Sequence, residues 1–416
     1  MTGGDAAAEI CARIDALAAI TEDPPRLTRL FLSDEHKRAN DLVSAWLIEA
    51  GMSARVDAIG NVVGRIEGAR PGLPALVLGS HLDTVRDAGR YDGMLGVVTA
   101  IACARELRRD GARLPFALEV IGFAEEEGVR FGTGMLGSRA MSGTFDPALL
   151  ERSDERGVTM KDAMRRFGLD PEAVPAAARN RGDILAYAEL HIEQGPVLEA
   201  KNLPVGCVTS ISGASRFEVE LTGRAGHAGT VPMGERRDAL AAAAECVLAV
   251  ERRCAAEAGL VGTVGRIAAL PGAINVIPGI VRFSIDVRAP DDAQRQRAAA
   301  DIERVIASIA AARRIGLAMR KVHELAAAPC APWLMAQIER AIAAEGIAPF
   351  RLASGAGHDA MTMASIADVG MIFVRCAGGI SHNPAESILP EDAAIGARVL
   401  RRLILDFARA EAETMR

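Results

Sequence analysis

With 416 residues, half of them hydrophobic and a quarter charged, the chain is long enough for two domains and carries apolar material for a substantial core. The 48 basic and 54 acidic residues leave a formal charge of −6, and no Lys/Arg cluster lies along one face. This argues against nucleic acid or an anionic membrane as a partner and points to a small-molecule ligand. Seven scattered cysteines with no C-x-x-C pair argue against a disulfide framework and a thiolate zinc site. With an acidic amino-terminal stretch and no apolar run of membrane-spanning length, they lead to the expectation of a cytoplasmic protein.

From Ala6 to about Ile20 and from Asp34 to Ala50, apolar residues recur at helical spacing, the second run opening on Ser33 as N-cap and closing at Gly51. Ala54 to Ile66 alternates like a strand pair broken at Gly60-Asn61, and a buried strand, Ala75–Gly79, follows Pro71-Gly72 and Pro74. That strand runs directly into Ser80-His81-Leu82-Asp83, and Asp92-Gly93 opens the helical pattern 93–109. A loop at the carboxyl end of a buried strand therefore carries a histidine and two carboxylates, at the position where open α/β sheets keep their sites. Neutral imidazole with carboxylate suits a borderline divalent metal such as zinc. A single His-x-Asp is weak evidence, since a lone histidine is usually an ordinary surface or core residue.

Phe116–Phe123 reads as the next buried strand, followed at once by Ala124-Glu125-Glu126-Glu127-Gly128. Three adjacent carboxylates repel one another, and a cation would remove the conflict. The Gly-rich loop Phe131–Ser138 lacks the strand-then-helix context and the acidic partner of a dinucleotide fingerprint. Residues 141–182 are polar and irregular around one helix, Met160–Phe167, and read as a surface excursion. Ile184–Glu189 alternates into a strand ending in His191-Ile192-Glu193-Gln194, a second histidine at a strand end.

At about Ser212 the pattern changes to strand (Arg216–Gly223), helix (Arg237–Glu257), strand (Val261–Leu270), strand (Gly279–Arg288), helix (Asp291–Ala312) and strand (Gly316–His323). This βαββαβ order marks a split-βαβ domain, 212–326, inserted between the two parts, 1–211 and 327–416, of a first domain. Its connections carry Gly226-His227-Ala228-Gly229 and Asn275-Val276-Ile277-Pro278, and Asp286-Val287-Arg288 sits at a strand end. Taken singly these are more often structural: glycines as turn formers, Arg288 as a simple ion pair with Asp286. The first domain then resumes with the helix Ala331–Glu345, a short Met-rich helix opened by His358-Asp359, the buried strand Val369–Val374, a third strand-end histidine in Ser381-His382-Asn383-Pro384-Ala385-Glu386, and the closing helix Glu391–Thr414. The methionines around that short helix read as core filling.

Taken together, His81, Asp92, Glu126 or Glu127, His191 and His382 lie at the ends of four predicted strands, and a parallel sheet gathers such ends along one edge. Five ligands serve two metals if Asp92 bridges. A dinuclear site lowers the pKa of a shared water to about 7 and polarises a carbonyl oxygen. A further carboxylate moves the proton from nucleophile to leaving amine.

With the segments GSHLDT, YDG, EEEG-x-RFG, HIEQGP, GHAGT-x-PM, NVIPG, GAGHDA and SHNPAE, essentially the whole chain resembles the dinuclear aminopeptidase/acylase-like metallohydrolases. Within them it resembles the hydantoinase/carbamoylase amidases, which include N-carbamoyl-L-amino acid hydrolases, β-ureidopropionases and allantoate amidohydrolases. The resemblance implies an α/β fold, in which a mixed sheet flanked by helices forms a zinc-aminopeptidase-like catalytic domain and the inserted domain is a lid that also makes a homodimer. It implies that His81, Asp92 and His191 hold one divalent ion and Asp92, Glu127 and His382 another, zinc or manganese, with cobalt or nickel accepted by the same ligands. Glu126 would be the general base and Asp83 would orient His81. His227 would stabilise the tetrahedral oxyanion, with Gln194, Asn275 and Arg288 binding the substrate and His358 in a supporting role. The planar fork of Arg288 suits a free carboxylate on that substrate.

The expected reaction is hydrolysis of the carbamoyl or ureido amide of an N-carbamoyl-L-amino acid to ammonia, carbon dioxide and the amino acid. Allantoate and β-ureidopropionate are the competing ureido acids. An acylase or peptidase is disfavoured by HIEQGP, because the resembling peptidases usually place a carboxylate where His191 stands. A metal-free binding protein on the same scaffold is the contrasting class, and metal content separates it from the enzyme.

Overall fold

The segment Ala75–His81 has no polar side chain until its last two residues and is buried along its whole length. A run without alternation belongs to a strand covered on both faces. The computed structural model, which describes residues 3–414, sets this strand inside a mixed sheet. In chain order the strands leading into that sheet are Ser53–Val56 (β1), Val62–Ile66 (β2), Ala75–His81 (β3), Ala117–Phe123 (β4), Ile184–Ile192 (β5) and Val205–Ile211 (β6). β3 pairs in parallel with β4 and β5, and the strand Val369–Val374 runs parallel to the other edge of β5. β1 and β2 extend the β4 side as an antiparallel pair, and β6 lies antiparallel to Val369–Val374.

Four adjacent parallel strands thus end along one edge, with His81 opposite Phe123 and His191 opposite Phe373 in register. Leu76, Val77 and Leu78 are fully buried, and each such side chain contributes about 1.5–3 kcal/mol by leaving water. The helices Gly3–Ala18, Met94–Arg109 and Pro390–Thr414 pack on one another, and Pro332–Ala344 packs on Val369–Val374. Helix Asp34–Glu49 begins as expected, the Ser33 hydroxyl accepting the His36 N–H.

Two compact units divide the chain. The larger comprises the chain up to Thr209, Cys330–Leu352 and the chain from Ala356 on; the smaller comprises Ser210–Pro329 and Ala353–Gly355. The smaller unit therefore also takes in a return segment, where Ser354 O accepts the Ser212 N–H. Its antiparallel sheet runs Ile267–Leu270, Ile280–Ala289, Gly213–Thr222, Gly316–Leu325, with the helices Ala239–Ala255 and Asp292–Ala312. Alternation assigns its faces: Phe217, Val219 and Leu221 join Val281, Phe283 and Ile285 in a core with Cys246, Val250, Ile302 and Ile306, while Arg216 and Glu218 stay exposed.

Two expectations need correction. Val261–Leu270 is two short strands, Val261–Thr263 and Ile267–Leu270, each pairing with a different stretch of Ile280–Ala289 across a break that holds Gly265. Residues 141–182 do hold the helix Met160–Phe167, but they are more than a surface excursion. Leu150, Met160, Met164, Phe167 and Val174 bury themselves with Phe31, Ile59 and Leu136 in a second cluster, their apolar residues being too widely spaced for a periodic reading. All seven cysteines are unpaired, six of them buried. No described helix is long and apolar enough to cross a membrane.

Candidate metal centre

Every side chain expected to bind metal lies in the larger unit, at the shared edge of its parallel strands. His81 is the last residue of β3, His191 the next-to-last of β5, and Glu126 and Glu127 follow β4. His382 stands in the loop after Val369–Val374, and Asp92 stands just before Gly93, the N-cap of the helix Met94–Arg109. The helix can start this close to the strand end because its N-cap is Gly93. Any Cβ there would lie 2.6 Å from the His81 ring, and its φ of 74° is one that side chains seldom adopt.

The two oxygens of Asp92 face different partners. Oδ1 lies 3.3 Å from His81 Nε2 and 3.0 Å from His191 Nε2, while Oδ2 lies 3.2 Å from His382 Nε2. His382 Nε2 is also 3.6 Å from Glu127 Oε1. Among the described residues, possible ligand atoms within 4.8 Å of one another fall into four groups, His81-Asp92-His191, Asp92-Glu127-His382, His81-Glu126-Glu127 and Glu189-His191-His358. Asp92 is common to the first two of these groups.

Contacts behind the ligands fix their tautomers. His81 Nδ1 is 3.1 Å from the main-chain oxygen of Asp83, and His191 Nδ1 is 2.8 Å from that of Ile192. A carbonyl only accepts, so each Nδ1 carries a proton and each Nε2 is the atom turned toward Asp92, free to be a metal donor once it holds no proton of its own. The expected role of Asp83 changes in detail. Its carboxylate is 3.7 Å from His81 Nδ1 and instead accepts the N–H groups of Glu126, at 3.0 Å, and Glu127, at 3.1 Å. Asp83 thus orients His81 through its backbone and holds the Glu126–Glu127 turn through its side chain.

Glu125, Gln194 and His382 have φ of 56°, 57° and 55°, a region costly for residues with side chains, and all three belong to the loops that form the site. Gln194, expected at the substrate, donates from Nε2 to Asp92 Oδ2 at 2.8 Å and to Ser381 Oγ at 3.1 Å. The His358 ring packs edge-on against that of His191, centroids 4.5 Å apart, and burial holds it well below the usual histidine range.

Electrostatics mark the cluster as a cation site. Burial, with the charges of Glu127, Asp359 and Asp83, pushes the Glu126 carboxyl well above the usual range against the opposing pull of His81. Burial and the Asp92 charge raise Glu127 to about 7. Contact with Asp92 is the main cause raising His382 to about 9. Burial disfavours a charged His81, yet Asp92, Glu126 and Asp83 prevail and hold its pKa well up. The side chains compensate for one another with protons where divalent ions would do so better. Two buried atoms support the fit: His191 Nε2 and Gln194 Oε1 have no hydrogen-bond partner. Imidazole nitrogens and carboxylate oxygens are the donors that zinc and manganese accept.

His227, Asn275 and Arg288 belong to the smaller unit. His227 is exposed, pairs with Val276 in a two-residue ladder and accepts the Gly229 N–H on Nδ1; Ala228 N–H donates to Asn275 O. The Arg288 fork grips Asp286 through Nε at 3.1 Å and Nη2 at 3.0 Å, and Nη1 donates to Gly355 O. The sequence reading named the segments but passed over the roles of Ser381 and Glu386, which reach Asp92. It likewise missed the buried Glu189, which accepts from Ser80 and Tyr187 beneath the histidines. A carboxylate inside a buried strand was the available signal for Glu189.

Residues 77–406 match peptidase family M20/M25/M40. An N-carbamoyl-L-amino acid amidohydrolase of Geobacillus stearothermophilus is 42% identical over 385 residues, 92% of this chain and 94% of the relative. A probable allantoate deiminase of Oryza sativa subsp. japonica is 40% identical over 92% of this chain and 85% of its own length. Among solved structures, an amidase of the hydantoinase/carbamoylase family from Burkholderia multivorans superposes with a TM-score of 0.91 at 35% identity, covering 97% of this chain and 98% of the other.

Proposed function

The chain belongs to peptidase family M20/M25/M40, among the hydantoinase/carbamoylase amidases, and is a hydrolase of amide C–N bonds; on that premise we propose that it is a dinuclear amidohydrolase of N-carbamoyl-L-amino acids. The products are ammonia, carbon dioxide and the free amino acid. The observation that carries the two-metal part of the reading is the division of Asp92, one oxygen toward His81 and His191 and the other toward His382, and the substrate class is supported by the 42% identity to an N-carbamoyl-L-amino acid amidohydrolase.

Two divalent ions, zinc or manganese with cobalt and nickel as substitutes, would supply a hydroxide-forming water at neutral pH and a polarised carbonyl. Glu126 takes the proton of the attacking water and passes it to the leaving nitrogen, and its raised pKa brings the two transfers closer in energy. Asp83 keeps that carboxylate in place by holding the Glu126 and Glu127 N–H groups. His227 donates to the developing oxyanion, and Gln194, Asn275 and Arg288 bind the substrate. In the structure the Arg288 fork is engaged by Asp286 and by Gly355 O, so to hold a substrate carboxylate it would exchange the Asp286 pairing for one with the substrate. The smaller unit acts as a lid that excludes water and as the contact surface of a homodimer in the cytoplasm.

Allantoate is the second reading, favoured by the 40% identity to a probable allantoate deiminase, with β-ureidopropionate behind it. Ammonia release from allantoate, N-carbamoyl-β-alanine, several N-carbamoyl-L-amino acids and an N-acetyl control, each with and without chelator, separates them. Chelator-sensitive turnover of the N-carbamoyl-L-amino acids is expected. Turnover of the N-acetyl control alone would move the protein to an acylase.

A further inference from the structure

The loop carrying His382 is tied to Asp92 by a strap that uses two other residues. Glu386 is 4% exposed. Its Oε1 accepts the main-chain N–H of Tyr91 at 2.8 Å and of Asp92 at 3.1 Å, and its Oε2 is 3.0 Å from Ser381 Oγ. Ser381 Oγ is in turn 3.1 Å from Asp92 Oδ2 and accepts from Gln194 Nε2 at 3.1 Å. Gly89 leaves the room: a Cβ there would lie 2.3 Å from Glu386 Cβ and Cδ.

A hydroxyl has one proton, and here two carboxylates claim it. When Asp92 Oδ2 binds a cation it no longer needs the Ser381 proton, which can turn fully to Glu386 Oε2 without moving any heavy atom. The backbone of Asp92 stays pinned from below by Glu386 Oε1 in either case. The geometry thus fixes the pose of Asp92 in the structure and couples it to the His382 loop.

From this we infer that Glu386 and Ser381 are positioning residues that set the pose of Asp92 and thereby the affinity of the cation shared with Glu127 and His382. The inference rests on the metal reading proposed above. Partners behind metal ligands typically carry about 10- to 100-fold in metal affinity.

The test is calorimetric titration of Mn²⁺ into chelator-stripped wild-type protein, Glu386→Ala and Ser381→Ala, with thermal unfolding of each stripped protein and turnover at rising Mn²⁺. The wild type is expected to take up two ions per chain. In both variants the weaker site should lose about 10- to 100-fold in affinity, and excess Mn²⁺ should restore kcat with KM unchanged. A purely structural role would instead lower the unfolding temperature and leave a turnover deficit that Mn²⁺ does not repair. Should Glu386→Ala fail to fold, Ser381→Ala, which removes one hydroxyl, decides the matter. Wild-type affinities at both sites in the variants overturn the inference alone. A wild type that binds no ion overturns the metal reading and the inference with it.

Discussion

Asp92 Oδ1 lies 3.0 Å from His191 Nε2, yet that buried nitrogen has no hydrogen-bond partner. With one proton held on Nδ1 by Ile192 O, His191 meets the Asp92 oxygen either by taking a second proton on Nε2, which burial opposes and Asp92 favours, or by sharing a cation with it. Metal should therefore stabilise the fold. Mn²⁺ at a hundred times its Kd is expected to raise the unfolding free energy by about 2.7 kcal/mol. Asp92→Asn should lose most of this increment and at least one ion per chain, as read by denaturant unfolding and metal analysis. An undiminished increment in the variant would remove Asp92 from the bridge.

Glu126 touches the site through its carboxylate alone, its backbone being held by Asp83 and by the Met135 N–H. Glu126→Gln keeps the shape and removes the proton acceptor. The expected loss is about 10²- to 10⁴-fold in kcat at wild-type metal content and little change in KM. Retention of kcat within tenfold would assign the proton transfer to another group.

The planar fork of Arg288 pairs with Asp286 and Gly355 O in the structure, and in the proposed role a substrate carboxylate takes over that pairing. Arg288→Ala is expected to raise KM for a carboxylate-bearing ureido acid by roughly 10- to 100-fold, the scale of one charge-assisted hydrogen bond. Arg288→Lys should rescue little, because an ammonium cannot grip both oxygens. Steady-state kinetics against the same substrate amidated at the carboxylate checks this, since the amide should be indifferent to the substitution.

His36 governs stability at mildly acid pH. It is fully buried between Phe31 and Phe167, accepts the Leu32 N–H on Nδ1, and burial, helped by the Arg29 and Arg130 charges, pushes its pKa down to about 3. Between pH 6.5 and about 3 the unfolded chain binds a proton that the folded chain refuses, so stability falls as the pH drops through this window. The slope from this group is about 1.4 kcal/mol per pH unit. Between pH 6.5 and 5.5, where the unfolded histidine goes from half to mostly protonated, urea unfolding should give a wild-type decrease larger than that of His36→Gln by about 1 kcal/mol. Equal slopes would mean that His36 is protonated in the fold.

Much of this protein is legible in its sequence for identifiable reasons. Parallel strands buried on both faces, such as Ala75–His81 and Val369–Val374, leave uninterrupted apolar runs, and the polar residue that ends each run marks the shared edge. The residue types that bind metal are few, so His81, Asp92, Glu127, His191 and His382 stand out as candidate ligands near those ends. The alternation of Phe217, Val219 and Leu221 likewise announces a half-exposed sheet in the smaller unit. Local pattern loses its force where apolar residues are sparse, as in 141–182, whose second core forms only when Phe31 and Ile59 arrive from elsewhere.

What tertiary structure alone decided is the direction of each polar contact. That Asp83 serves Glu126 and Glu127 with its carboxylate and His81 with its carbonyl depends on a loop and a strand end meeting at hydrogen-bond distance. That Glu386 holds the N–H of Asp92, 294 residues away, depends on the packing of two loops. Residue type and periodicity follow from the burial of side chains, a property each segment carries alone, whereas hydrogen-bond geometry is fixed within tenths of an ångström by every element that packs around it.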